Sequence, residues 1–361
     1  MIAPSAALRR VPVTIVCGLH GSGKTTVLQQ LLAEYRGGAL AFIVVQPTSF
    51  NFDANLIRGL SAALDRKYDA IYEVREDEDD GYWPDQVMKL VDECAAANRF
   101  DHLFIELSGS CSVTAAVDAI DSVHNVVCVI DALELLQEVL GKTPDGTISA
   151  SADEASMIAL QKIDLLNPTE LKKCREYMQT LRSDALLVDS HFGELPPEHL
   201  MQELILPEPP QARELVTSTV AQVFSARRPF HPQRFHDLCF GDWPDIWRVK
   251  GFFWLATRMD IVGGFSLTNT SCSSGPGGHW WAAVPRDQWP KGKDLLSRIE
   301  ASWREPYGDR RQELVLLGEP AALERISLEL NECLLTDSEI ELGPAVWEQL
   351  PDPFPSWTEP V

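Results

Sequence analysis

The sequence predicts an α/β protein: a parallel sheet with helices on both faces, followed by a smaller α+β unit. Three observations predict it. Apolar strand runs alternate with helical patterns from residue 11 to about 207, the order that builds a parallel sheet. A glycine loop closes the first of these strands and opens the first helix, at the carboxyl end where open α/β sheets bind ligands. The stretch Leu206-Pro-Glu-Pro-Pro210 then interrupts the alternation, and strands mix irregularly with helices beyond it. This divides the chain into residues 1–207, a linker at 208–214 and residues 215–361. The 361 residues suit two domains of about 150 residues each.

Composition narrows the function. Hydrophobic residues make up 45% and charged residues 23%, ordinary globular usage that excludes a disordered or fibrous chain. The formal charge of −22 repels a phosphate backbone, so nucleic acid is not the expected ligand. No run of about 18 apolar residues predicts a membrane span. The N-terminal apolar stretch is broken by Pro12 and runs straight into the glycine loop, so it does not read as a signal peptide. The eight cysteines are scattered without a C-x-x-C pair, which reads as reduced thiols in a cytoplasm.

The first strand, residues 11–17, is β-branched and apolar and leads into Gly18-Leu-His20-Gly21-Ser22-Gly23-Lys24-Thr25-Thr26 and the helical run VLQQLLAEY. Strand, G-x-x-x-x-G-K-T and helix form a phosphate loop. Its glycines let successive N–H groups turn inward around a β-phosphate, and the helix N-terminus adds partial positive charge. Lys24 is placed to bridge β- and γ-phosphates, and Thr25 to offer a hydroxyl to Mg²⁺. His20 contributes its backbone.

The second strand, ALAFIVVQ, ends in a loop from Pro47 to Asp53, where a switch segment is expected and Asp53 is a further candidate Mg²⁺ ligand. The next strand ends in Ile105-Glu106-Leu-Ser-Gly109. An acid there can orient Mg²⁺ or a water, which assigns Glu106 a catalytic role beside Lys24, and the Gly109 N–H can sense a γ-phosphate. After Asn125-Val-Val-Cys-Val-Ile-Asp131 comes Gln161-Lys162-Ile-Asp164, similar to the guanine-selecting N-K-x-D with Gln for Asn. A carboxylate at Asp164 can accept from both N1–H and the 2-amino group of guanine, a pair adenine does not offer. Gln161 is one methylene longer than Asn, so altered bracing of the loop is expected.

GLHGSGKTT, IELSG, CVIDA and QKIDLL occur here in the order of the CobW-like P-loop GTPases, a group of metallochaperones and metalloenzyme activators that includes nitrile hydratase activators. The second half also resembles that family through Arg227-Arg-Pro-Phe-His231-Pro, Lys250-Gly-Phe-Phe-Trp-Leu-Ala-Thr-Arg258, Gly278-His279-Trp-Trp, Gly308-Asp-Arg-Arg-Gln-Glu and Asp352-Pro-Phe-Pro-Ser-Trp357. The resemblance implies a GTPase domain followed by a CobW C-terminal-like domain. It further implies slow GTP hydrolysis with Mg²⁺, coupled to delivery of a metal such as Zn²⁺, Co²⁺ or Fe²⁺ to a client metalloprotein, a nitrile hydratase-like enzyme among the candidates.

This chain departs from the family in two places. The C-x-C-C metal motif that usually precedes a T-L-R-E-D-like segment is absent, and its three thiolate positions fall near Asp69, Ile71 and Tyr72. Oxygen and apolar groups there do not make a soft-metal site. A nucleotide-gated chaperone or scaffold that carries no metal is therefore the alternative reading. Gln46-Pro47 also replaces an Asn-acid pair in the switch region. The six acids of the run Glu73 to Asp80 read as a solvated loop. His231 reads as part of a structural turn, and His279 and the tryptophans at 243, 247, 254, 280, 281, 289 and 303 as packing residues of the second domain.

Overall fold

Strands buried on both faces read as nearly continuous apolar runs, as VTIVC and ALAFIVVQ of the first half do. The computed structural model describes residues 10–46, 52–66, 68–75, 82–109, 111–142, 147–207, 220–268, 272–289 and 293–357. Among them the chain divides into two compact units, Met1–Thr217 and Ser218–Val361. The first contains β1 (Val13–Cys17), β2 (Ala39–Gln46), β3 (Ala70–Arg75), β4 (Phe100–Glu106), β5 (Val123–Asp131), β6 (Met157–Gln161) and β7 (Leu186–Asp189). They form one sheet in the order β3-β2-β4-β1-β5-β6-β7 with every ladder parallel.

Successive strand side chains point to opposite faces, so the sheet feeds two cores. Ile15, Ile43 and Ile105 face one core with Val87 and Val91 of α3 (Trp83–Ala97). Val16, Phe42 and Phe104 face the other with Leu28 and Leu31 of α1 (Lys24–Glu34). The remaining helices of this unit are α2 (Phe52–Ala63), α4 (Val113–Ala119), α5 (Ala132–Val139), α6 (Thr147–Ala150), α7 (Pro168–Leu181) and α8 (Pro197–Met201). Asn167 and Glu170 close a capping box at the start of α7, with Pro168 in its first turn. Because β1 lies between β4 and β5, the chain reverses direction across the sheet beside the carboxyl end of β1, and a crevice opens there.

Two loop expectations change. Asp53 lies in α2 instead of a loop, because the apolar spacing that includes the buried Ala54 and Ile57 continues back through this segment. Residues 47–51 lie outside the described residues, as do residues 76–80 of the acidic run and the 208–214 linker. Glu73 and Arg75 belong to β3: Val74 between them is buried and Glu73 pairs with Arg58 of α2.

The second unit is an antiparallel sheet of β8 (Val220–Ala226), β9 (Ile246–Phe253), β10 (Ile261–Thr268), β11 (Cys272–His279) and β12 (Gln312–Gly318) in the order β11-β10-β9-β12-β8. Helices α9 (Pro232–Cys239) and α11 (Pro320–Cys333) contribute Phe235, Leu323, Ile326 and Leu330 to the core beneath it, with Phe224, Phe253, Phe265 and Leu314 from the strands. Three more helices, α10 (Lys293–Ser302), α12 (Asp337–Leu342) and α13 (Pro344–Trp347), complete the unit. The tail is held by Arg258, which grips Asp352 with Nε and Nη2 at 2.8 and 3.0 Å and covers the Trp357 ring at 4.1 Å. His231 caps α9, its Nδ1 accepting from Arg234 N, so it is a structural residue. Trp254, Trp280 and Trp289 are buried and Trp243, Trp247, Trp281 and Trp303 half-buried, as packing residues should be. His279 differs: it sits exposed at the end of β11, which has a hydrogen-bonded neighbour on one side only.

One buried titratable group makes the first unit acid-sensitive. His102 of β4 is 1% exposed, with Nε2 2.8 Å from Thr14 Oγ1. Thr14 already donates to Leu200 O at 2.6 Å, so the imidazole must donate to the hydroxyl. Burial, with a smaller contribution from His124, pushes its pKa down to about 3. The unfolded chain takes up this proton near the ordinary histidine value of about 6.5, the folded chain not until about 3. Its share of stability is therefore complete above about pH 6.5 and is lost as pH falls toward 3. In urea titrations between pH 6 and 4, His102→Gln should flatten the loss of stability by up to about 1.4 kcal/mol per pH unit relative to wild type; parallel curves would contradict this.

Candidate functional site

The crevice at the carboxyl end of β1 gathers most of the residues the sequence singled out. The phosphate loop turns through Gly18, Gly21 and Gly23, whose φ values are +128°, +87° and +106°, a region that disfavours side chains. At Gly18 space is also decisive, since a Cβ would lie 2.2 Å from Val129 O of β5. The strand must run this close to β5 for the loop to curl over the sheet edge.

Lys24 is buried, and its Nζ donates to Gly18 O at 2.8 Å and Leu19 O at 3.0 Å. The ammonium is thus folded back across the loop whose amides would face phosphate. Ser22 is 1% exposed and its Oγ has no hydrogen-bond partner among the described residues. A buried hydroxyl left in this state is costly, and an anion in the loop would satisfy it. Thr25 Oγ1 donates to Glu106 Oε1 at 2.7 Å across 81 positions of sequence. Both residues are buried. A hydroxyl and a carboxylate in contact at the edge of a phosphate loop are hard oxygen donors, the kind Mg²⁺ prefers, so the residues present fit that ion.

The segment after β4 approaches the same loop. Leu107 N donates to Val16 O at 2.9 Å, continuing the β4 ladder past Glu106. A Cβ on Gly109 would sit 2.9 Å from His20 N and 3.0 Å from His20 Cδ2. The close backbone approach of Gly109 to His20 requires glycine there. Asp53 is carried by α2, and its side chain lies outside the described residues.

At the carboxyl end of β6 the structure answers the question raised by Gln161. The side chain is buried, donating through Nε2 to Ser190 Oγ at 2.9 Å and accepting from Gly193 N through Oε1 at 3.3 Å. Its stem packs near Gly23, where an added Cβ would lie 3.5 Å from Gln161 Cγ. Gln161 therefore braces the phosphate loop against the loop after β7. Gly193 in turn crosses α1 so closely that a Cβ would lie 2.7 Å from Thr26 O. Lys162 stands in the left-handed region at φ +60°, its ammonium paired with Asp131, which caps α5 through Leu133 N and Glu134 N. Asp164, two residues on, is exposed. Ser190 and Gly193 went unnoticed in the sequence, because a short polar loop after a four-residue strand carries no signal until its partner Gln161 is known.

The three positions where the thiolate motif would fall are occupied by packing. Asp69 accepts from Leu40 N at 2.9 Å and from Arg66 Nε at 2.6 Å. Ile71 and Tyr72 point into the two opposite cores, Tyr72 within hydrogen-bonding reach of the Cys94 thiol, which burial pushes up. Among the described residues no group of three or more His, Cys, Asp or Glu side chains is arranged to hold a metal ion. Nor is any described helix long and apolar enough to cross a membrane.

Comparison with known proteins agrees with this architecture. The CobW/HypB/UreG nucleotide-binding domain matches residues 12–189, and the cobalamin synthesis protein cobW C-terminal domain matches residues 219–334. Zinc-regulated GTPase metalloprotein activator 1 of Dictyostelium discoideum is 27% identical over 403 residues, covering 96% of this chain and 84% of that protein. A Mycobacterium tuberculosis protein named a zinc chaperone is 35% identical over 136 residues, 37% of this chain and 34% of its own. Among solved structures, the Zn(II)-bound YjiA GTPase from E. coli aligns with 90% of this chain and 99% of its own at 15% identity and a TM-score of 0.37. With both family domains matched in order along its length, the chain belongs to the CobW family of P-loop GTPases.

Proposed function

We propose that this protein binds GTP and hydrolyses it slowly to GDP and phosphate, and that the cycle drives metal insertion into, or maturation of, a client metalloprotein. The observation that carries the reading is the convergence of Lys24, the Thr25–Glu106 pair and the Gln161–Asp164 segment at one end of one sheet. Its relatives are named a GTPase metalloprotein activator and a zinc chaperone.

In this reading the amides of Gly21 to Thr25 donate to the β-phosphate, and Lys24 exchanges its bonds to Gly18 O and Leu19 O for the β- and γ-phosphate oxygens. Thr25 would hold Mg²⁺, which when bound neutralises charge on the phosphate oxygens. Glu106 orients the attacking water and accepts its hydrogen bond. Gly109 N–H senses the γ-phosphate, and its tight seat against His20 couples loss of that phosphate to the segment that follows β4. Asp164 reads the guanine edge while Gln161 and Lys162 hold the loop that carries it.

A second reading rests on Asp69, Ile71 and Tyr72, which the fold uses for packing. It makes this branch a nucleotide-gated client chaperone that carries no metal itself. In either reading a nitrile hydratase-like enzyme is one candidate client and the cytoplasm the working compartment.

Lys24→Ala should abolish nucleotide binding, with GTP affinity down at least a hundredfold in calorimetry; unchanged affinity would overturn the assignment. Asp164→Ala should lower the GTP-to-ATP affinity ratio by about tenfold or more, since one base-edge pair is worth roughly 1–3 kcal/mol. An unchanged ratio would remove Asp164 from base selection. Titration of the protein, with Mg²⁺ and a non-hydrolysable GTP analogue, by Zn²⁺, Co²⁺ and Fe²⁺ separates the two readings. Tight stoichiometric binding supports metal delivery, and binding no stronger than background supports the metal-free chaperone.

A further inference from the structure

Two of the eight cysteines meet at the base of the phosphate loop, and neither takes part in the contacts of the nucleotide site. Cys17 closes β1, and Cys128 of β5 is directly opposite it in the parallel ladder. Both side chains face the same core, 3% and 0% exposed. Cys128 Sγ donates to Ser151 O at 3.2 Å, so its hydrogen is engaged there and the Cys17 thiol donates to the Cys128 sulfur. That bond from Cys17, with the charges of Lys24 and Arg182, holds the Cys128 thiol below its ordinary range. The same bond and burial push Cys17 well up. One sulfur of the pair is thus biased toward thiolate while the other keeps its proton, which suits attack followed by condensation. Neighbouring strands lie about 4.8 Å apart, inside the Cα separation of about 4.4 to 6.8 Å that a disulfide spans.

We propose that Cys17 and Cys128 form a peroxide-sensitive thiol pair whose disulfide weakens nucleotide binding by the phosphate loop. The Cys128 thiolate attacks one oxygen of hydrogen peroxide and breaks the O–O bond, leaving a sulfenic acid and, after protonation, water. The Cys17 sulfur then attacks the sulfenic sulfur, the S–S bond forms, and the hydroxyl leaves with the Cys17 proton as a second water. Two thiols are oxidised and one peroxide is reduced to two waters. Burial of both sulfurs restricts the oxidant to one of this size. The effect on nucleotide follows from Gly18, the residue after Cys17. Its O accepts from Lys24 Nζ at 2.8 Å, and it passes β5 so closely that a Cβ would lie 2.2 Å from Val129 O. A disulfide draws its two Cβ atoms to about 3.5 to 4.5 Å, which pulls the end of β1 against β5 where no slack remains. In a close-packed interior the displacement passes on, and the start of the loop and the anchor of Lys24 move with it.

The control of the loop rests on the guanine-nucleotide reading, the disulfide does not, and the experiment reads them separately. Reduced protein is exposed to hydrogen peroxide and its peptides are mapped by mass spectrometry without reduction. GTP dissociation constants, with Mg²⁺, are measured before oxidation, after it, and after dithiothreitol. A Cys17–Cys128 cross-linked peptide is expected, with GTP affinity weakened about tenfold, the scale of one lost hydrogen bond to a charged group, and recovered on reduction. Cys17→Ala and Cys128→Ala should each bind GTP like reduced wild type and lose the response to peroxide. Peroxide-treated wild type without that cross-link would overturn the pair as a redox site, and a cross-link formed with GTP affinity unchanged would overturn its control of the loop. A loss of affinity that persists in Cys128→Ala would assign the effect to other oxidised residues and would equally overturn that control. Failure of reduced wild type to bind GTP would overturn the guanine-nucleotide reading while the cross-link result stood.

Discussion

The parallel register of β1 with β4 and β5 is the constraint on which the site depends. Val16 is opposite Glu106 and Cys17 opposite Cys128, so the phosphate loop leaves the sheet level with the acid at the end of β4. The Thr25–Glu106 bond follows from that alignment. A shift of one residue would turn Glu106 into the opposite core. The loop glycines answer to the same register: Gly18 is glycine because β5 passes its backbone carbonyl through the space a Cβ would need.

Gln161 shows how one substitution within a motif can be absorbed. The longer side chain still reaches two partners in the loop after β7, one as donor and one as acceptor, while its stem covers Gly23. A buried amide must have its groups satisfied to be tolerated, and here their satisfaction ties β6, β7 and the phosphate loop into one rigid corner.

Residues 69 to 72 serve packing. Asp69 holds Arg66 and a strand-end amide, and Tyr72 joins Cys94 in a core. The second unit is organised by aromatic packing around Phe235, which stacks on Phe230 at 4.1 Å, with the Arg258–Asp352 pair closing the tail over it. These aromatic and charged residues explain why the strings that identified the second half are so rich in Phe, Trp and Arg: each is a packing or fastening residue.

How much was legible in the sequence follows from how local each feature is. The glycine loop was readable from its spacing between a strand and a helix, and the central strands β1, β2, β4, β5 and β6 from their apolar runs, whereas β3 and the four-residue β7 were not. The helical placement of Asp53 and of Glu73 in β3 was missed, since charged residues at an element's end resemble loop residues until their neighbours are known. The sequence by itself determined the fold class, the family and the glycine loop between β1 and α1. Only the tertiary structure decided what Gln161 and Asp69 do. Their roles depend on partners 29 to 32 positions away, and such distances close only when the strands align.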